Sequence, residues 1–226
     1  MLLVHNEADT IEEELKAFRA DVVDKLPSLE LIVAEDGSTD GTRDRLLALQ
    51  KEIGFRIVGG SERKGYARAW TDAIRATDRE WVCMCDGGLK HEPADFWTLY
   101  EAREGADIIV GCKTNRKDQL YRKVLTFGFN LMLRLYFGVD VHDADSGLRL
   151  IHRRVVDQIV RPGLKFRGFV STETVLRAVK SGLRYREVPI AYRQRRGPSR
   201  ALPIKRIPRA VYQVLEDVRE LKNELS

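Results

Sequence analysis

Two hydrophobic patterns alternate along the chain. Short apolar, β-branched runs recur at "LELIVAED" (29–36), "FRIVGG" (55–60), "EWVCMCDG" (80–87) and "ADIIVGCK" (106–113), and the opening "MLLVHNE" reads as a further short strand. Between these runs the apolar positions fall every third or fourth residue, as one buried helix face requires. In 9–26 they are Ile11, Leu15, Phe18, Val22 and Leu26, with Asp9 and Glu12 spaced as a capping box. Stretches 40–53, 66–77 and 93–103 repeat the helical spacing. Strands that are apolar on both faces and alternate with helices predict an α/β fold: a mostly parallel sheet with helices on both faces.

After residue 113 the pattern changes. "QLYRKVLTFGFNLMLRLYFG" (119–138) is apolar almost all round, broken by Arg122, Lys123, Asn130 and Arg134. It reads either as a core helix or as one lying at a membrane interface, because amphipathicity does not say what an apolar face meets. A last helix, from about 204 to 225, aligns Ile207, Val211, Leu215, Val218, Leu221 and Leu225. The expected organisation is one domain over 1–203, with an amphipathic helix over 204–226 packed on it or on a partner.

Composition narrows the class. The 226 residues are 43% hydrophobic, enough for one substantial core. No apolar run approaches the roughly 18–20 residues a membrane span needs, and the first helical stretch is charged throughout, unlike a signal peptide. Cys83, Cys85 and Cys112 show no metal-type spacing and read as small buried residues of a reducing, cytoplasmic protein. Charge is unevenly spread: residues 184–209 hold nine Arg/Lys and one acid, a local +8 against +5 for the whole chain. Such a stretch points to an anionic partner, either a phosphorylated ligand or an anionic membrane surface to which the protein attaches peripherally. Nucleic acid fits poorly, since only Tyr185 and Tyr192 offer stacking and "EVPIAY" interrupts the patch as a strand.

Candidate chemistry clusters where strands of an open α/β sheet end, the usual place for ligands. In "CDGGLKHEP" (85–93) Asp86 is placed to hold a metal-bound phosphate, but the next two candidate ligand positions are Gly88 and Lys90. In "VAEDGSTDGT" Glu35 and Asp36 could accept hydrogen bonds from a base or ribose, with Ser38 or Asp40 capping the next helix. The same residues also make ordinary turn chemistry; Glu7, expected alongside, would make three converging carboxylates. Lys64-Gly65 in "SERKGYARAW" suits a phosphate near a helix start, and a solvated basic turn would look the same. His91 fits either a diphosphate or metal contact or a hydrogen-bonded packing role. His5, His142 and His152 share no ligand spacing. Asp143 or Asp145 of "HDADSG" would serve as base for a hydroxyl acceptor, or else cap and pack the loop.

Taken in order, "HNEADTI", "VAEDGSTDGT", "RKGYARA", "CDGGLKHEP", "VGCKTNR", "DADSGLRL" and "EVPIAYRQRRGPSR" resemble the family-2 inverting glycosyltransferases of GT-A fold. Within them the chain is most similar to the dolichol- and polyprenyl-phosphate mannosyl- and glucosyltransferases, over about residues 2–200. The resemblance implies a Rossmann-like GT-A sheet. It also implies a nucleotide-sugar donor, GDP-mannose or UDP-glucose with mannose favoured, and a lipid phosphate acceptor at the cytoplasmic membrane face. By position it assigns Glu7, Glu35 and Asp36 to base and ribose; Lys64, placed near a phosphate by its own chemistry, joins the donor set. Asp86 matches the first aspartate of a metal-binding D-x-D; Lys113, Arg122 and Thr126 fall on the acceptor-phosphate positions. Arg195, Ser199 and Arg200 fall on a loop near the donor diphosphate.

The departure is at the metal. Asp86-Gly87-Gly88-Leu89-Lys90 has lost two oxygen ligands and gained a cation. Mg²⁺ or Mn²⁺ can be held by one carboxylate with substrate phosphates and water, yet the Lys90 ammonium opposes a divalent ion nearby. Three outcomes remain open: Lys90, with Arg195 and Arg200, replaces the metal; Asp86 holds a metal weakly; or the chain is a silent nucleotide-sugar-binding homologue. A lipid phosphate is already ionised above about pH 6, so transfer to it needs cations rather than a base. The expected catalytic set is Asp86, Lys90, Arg122 and Arg195.

Overall fold

The computed structural model describes residues 1–114, 120–166, 168–191, 193 and 207–225, with Arg122 described by its backbone alone. Among them seven strands form one sheet: β1 (Leu2–Val4), β2 (Ile32–Asp36), β3 (Arg56–Gly60), β4 (Trp81–Asp86), β5 (Ile108–Thr114), β6 (Leu148–His152) and β7 (Tyr185–Ala191). Their order is β3-β2-β1-β4-β6-β5-β7. All neighbours are parallel except β6, which runs against β4 and β5. Register pairs Leu3 with Asp86 and Val4 with Glu35, so β1, β2 and β4 end at one edge.

Alternation along the strands feeds two cores. Leu2, Val4, Val33 and Cys85 face α1 (Ile11–Phe18), α2 (Thr42–Ile53) and α4 (Asp95–Glu101). Leu3, Ala34, Val82 and Met84 face the other side, where α3 (Tyr66–Arg75), α5 (Leu120–Phe137), α7 (Val170–Lys180) and α8 (Ile207–Leu225) contribute Trp70, Phe137, Leu176 and Leu221. A short α6 (Arg153–Val155) runs into a wide π-type turn that buries Ile159. Each such large side chain taken from water contributes about 1.5–3 kcal/mol. The mostly parallel, two-faced sheet is the predicted architecture.

Two expectations about helices change. The capping box at Asp9 and Glu12 does not form. The carbonyl of Glu7 accepts from the amides of Thr10 (3.0 Å) and Ile11 (2.9 Å), and Glu12 pairs with Lys16 at 2.7 Å. That helix also stops at Phe18, then continues through a π-type turn (Arg19–Val23) that keeps Val22 buried. Helix α5 has one core face and one exposed apolar face. Asn130, Leu133 and Phe137 are buried, while Leu120, Val124, Phe127, Leu131 and Leu135 are exposed. In α8, Val218 and Leu221 are buried, and Glu224 pairs with Arg177 and Lys165, both at 2.9 Å. Val211 and Leu215 lie open. Among the described residues no helix is long and apolar enough to cross a membrane.

Candidate active site

Asp86 closes β4 with its carboxylate already engaged on both oxygens. Lys90 Nζ lies 3.2 Å from Oδ2, and the Tyr66 hydroxyl at the start of α3 donates to Oδ1 at 3.2 Å. A Cβ on Gly147 would sit 2.5 Å from Oδ2, so only glycine lets β6 approach this closely. Burial pushes the Asp86 carboxyl up, but the Lys90 ammonium, His91 and Lys113 outweigh it and hold it below the ordinary range. Asp86 is therefore an ionised group with a cation in contact.

The turn that delivers Lys90 is unusual. Gly88 (φ +91°) and Leu89 (φ +52°) are consecutive left-handed residues, costly for leucine. Their amides point at Glu14 of α1, whose Oε2 accepts from Gly88 at 2.9 Å and Oε1 from Leu89 at 3.1 Å. A Cβ on Gly88 would meet Glu7 Oε2 at 2.9 Å, so the carboxylate of Glu7 stands where a side chain at 88 would begin. Burial raises the Glu14 carboxyl to about 7 against the pull of those two amides. The folded protein then keeps a proton that the unfolded chain releases near 4.5, so stability falls as pH rises between these values. At about 1.4 kcal/mol per unit the loss is of order 3 kcal/mol. Urea unfolding at pH 5 and pH 8 is expected to show this fall, and Glu14→Gln to flatten it.

The expected convergence of three carboxylates at the nucleotide edge is only partly met. Glu35 is wholly buried, accepting from Ser38 N (2.6 Å) and pairing with Arg43 (3.0 Å). Asp36 accepts from the amides of Lys64 (2.7 Å) and Gly65 (3.1 Å), tying β2 to the start of α3. Both carboxylates also brace the turns around them, and Glu7 stands beside Gly88. Asp40 caps α2, accepting from Thr42 N at 3.0 Å, whereas Ser38 accepts from Asn6 N. Lys64 Nζ pairs with Asp72 at 2.9 Å on the surface, a weak restraint.

Of the residues expected at the acceptor phosphate, Lys113 and Thr126 line one cleft of about 420 Å³, together with Lys123, Arg134, His142 and Asp143. Arg122 stands one helical turn before Thr126 on α5. The Lys113 amide donates to Asp143 Oδ2 at 3.5 Å, and Glu187 of β7 holds the same loop by accepting from the amides of His142 (2.7 Å) and Asp143 (3.0 Å). Thr126, Asn130 and Asp143 also line a second, apolar groove of about 520 Å³ between α5 and α8. Asp145 opens onto that groove and accepts from Ser171 Oγ at 2.7 Å. The protein packed around it, with Asp86 and Asp143 near, pushes its carboxyl up to about 6, against Ser171 and Arg149. Arg195, Ser199 and Arg200 lie outside the described residues. Arg193, at the start of that basic segment, pairs with Glu92 at 2.9 Å, two residues past Lys90.

Several groups escape a reading by motif. Tyr66 and Glu14 gain their roles only through folding, and Arg149 hides in a strand pattern. Arg149 is buried beside the site, with Nη1 lacking a partner among the described residues. His91 makes no hydrogen bond of the expected packing role among the described residues. It is 1% exposed, both ring nitrogens lack a hydrogen-bond partner among the described residues, and burial with Lys113 pushes it down to about 3, so it is neutral. The donor set also fits a protein-held divalent ion poorly. Among the described residues no three His, Cys, Asp or Glu side chains converge for one, and Asp86, the remaining candidate ligand, faces an ammonium.

Comparison with known proteins bears on the fold and the family. The chain is 27% identical over 164 residues to the dodecaprenyl-phosphate galacturonate synthase of Rhizobium johnstonii, covering 69% of this chain and 48% of that protein. It is 26% identical over 202 residues to the polyprenol monophosphomannose synthase of Mycolicibacterium smegmatis, covering 84% and 76%. The chain thus spans about half the length of the first curated relatives it matches. Glucosyl-3-phosphoglycerate synthase of Mycobacterium tuberculosis, solved with Mn²⁺, uridine diphosphate and glucosyl-3-phosphoglycerate, shares the fold. Its TM-score is 0.71 at 21% identity, over 98% of this chain and 78% of that one. Residues 1–160 match glycosyl transferase family 2, and the chain belongs to that family.

Proposed function

We propose that the protein transfers a hexose, mannose rather than glucose, from a nucleoside diphosphate sugar to a polyprenyl phosphate, with inversion. A non-bridging oxygen of the acceptor phosphate attacks the anomeric carbon from the face opposite the diphosphate. The bond from that carbon to the diphosphate oxygen breaks, and the nucleoside diphosphate leaves with the electron pair. Lys90, with Arg195 and Arg200, neutralises the charge that develops there, in place of Mg²⁺ or Mn²⁺. Asp86 holds Lys90 at that position or meets a sugar hydroxyl. Glu7, Asp36, Lys64 and Ser199 border the donor, with Glu35 bracing the turn behind it. Lys113, Arg122 and Thr126 receive the acceptor phosphate.

One observation carries this reading. Thr126, Asn130 and Asp143 line both the apolar α5–α8 groove and the cationic cleft at Lys113. An amphiphile with a hydrocarbon tail and a phosphate head fits that junction, and a small soluble hydroxyl compound leaves the groove unused. Exposed Val124, Phe127 and Leu131 of α5, with Val211 and Leu215 of α8, support peripheral attachment to an anionic bilayer, beside the basic segment. Val211→Asp with Leu215→Asp is expected to raise KM for polyprenyl phosphate at least about 10-fold, since each places a charge in apolar surroundings. Affinity for the nucleoside diphosphate should not move.

The test is nucleotide release from GDP-mannose and UDP-glucose, with and without polyprenyl phosphate. Release that depends on the lipid supports the reading. The second reading, transfer to a hydroxyl, draws on Asp145, whose raised carboxyl stands open to the groove. Release driven by a hydroxyl compound and lost in Asp145→Asn would favour it. Nucleotide binding with no release under any condition would mark a silent homologue.

A further inference from the structure

The loop 86–90 is held by a group from elsewhere in the chain. The turn directs the successive amides of Gly88 and Leu89 to one side, and successive amides in a turn make a concavity that ordinarily receives an anion. Here the acceptor is internal: the Glu14 carboxyl, 1% exposed, takes both amides, one on each oxygen, and does so as an anion above its raised titration near 7. Left-handed backbone at a buried leucine is strained and persists only where the surroundings over-determine it. Glu14 also stands against the preceding glycine, where a Cβ on Gly87 would meet Leu3 O at 2.8 Å and Glu14 Oε2 at 3.6 Å. The register is short: Glu14 fixes residues 88 and 89, the next residue is Lys90, and Lys90 reaches back four positions to Asp86.

We infer that Glu14 is a positioning residue for Lys90, setting the left-handed Gly88–Leu89 turn that aims the ammonium at Asp86 and so at the donor diphosphate. The inference deepens the transferase reading and rests on it only in giving Lys90 the diphosphate as its target. Glutamine at 14 keeps the size but has one carbonyl oxygen, so it can satisfy one amide and not both. The loop then loses one restraint and Lys90 its fixed aim.

UDP, GDP, UMP and GMP are titrated in EDTA at about pH 8, above the raised Glu14 titration, into the wild-type protein, Glu14→Gln, Lys90→Ala and the double variant. Glu14→Gln is expected to weaken the preferred diphosphate about 10-fold, in keeping with one charge-assisted contact. The matching monophosphate should stay within about twofold, which general damage to the fold would not spare. The double variant should bind no more weakly than Lys90→Ala alone, since coupled residues are not additive. A Glu14→Gln protein that binds like wild type, or a loss that adds in full to that of Lys90→Ala, overturns the inference. If Glu14→Gln does not fold, Glu14→Asp, too short to reach both amides, carries the same comparison. If Lys90→Ala alone leaves diphosphate affinity unchanged, the assignment of Lys90 to the diphosphate is what fails. Hydrogen exchange then decides the clamp. Gly88 and Leu89 amides protected in wild type and fast in the variant support it, and unprotected amides in the wild-type protein overturn it.

Discussion

Lys90→Ala is expected to weaken metal-free binding of a nucleoside diphosphate by about 100-fold, with a similar loss in turnover. Two effects add. The variant removes the cation that would meet the diphosphate, and a preorganised donor at developing charge is worth about 2.7–4 kcal/mol. It also leaves Asp86 with no ammonium on Oδ2, so an ionised carboxylate meets an incoming anion unscreened. Lys90→Arg should recover only part of the loss, because a planar guanidinium does not reproduce a compact ammonium at 3.2 Å. Calorimetric titration of GDP and UDP in EDTA measures it. Mn²⁺ should rescue the variant better than it helps the wild-type protein, since removing the ammonium frees Asp86 for a metal.

Gly88→Asp, which restores the spacing of two carboxylates, is expected to fail as a repair. A side chain at 88 must accept φ +91° and a Cβ 2.9 Å from Glu7 Oε2. Strain of this kind costs about 1–3 kcal/mol. The new carboxylate would also crowd Glu7 and Glu14, and like charges add to the cost. Urea unfolding should show a loss of about 2–4 kcal/mol, near the upper range for single substitutions. Mn²⁺ should confer no tighter binding on the variant. A fully stable Gly88→Asp protein with metal-dependent nucleotide binding would mean that the loop moves freely, contrary to the clamp at Glu14.

The architecture was legible because the strands are apolar on both faces, and only a doubly covered sheet buries such runs. The antiparallel β6 was not legible, since "LRLIH" carries no mark of direction. Lys90 could be singled out by its position in the motif, and Asp86 and Lys90 do meet. What stayed hidden depends on contacts far apart in sequence. Glu14 lies 74 residues from Gly88, and as one of three successive glutamates on α1 it looks like helix surface. Tyr66 reads as an ordinary helix start. Glu35 shows the limit of a motif, because a strand-end carboxylate that braces its own turn has the same sequence as one that holds a ribose.

The most direct measurement is release of GDP or UDP from the corresponding nucleotide sugar, followed in EDTA with and without polyprenyl phosphate. The account predicts release that requires the lipid phosphate, survives chelation and disappears in Lys90→Ala. Release that needs Mn²⁺ and is indifferent to Lys90 would contradict it.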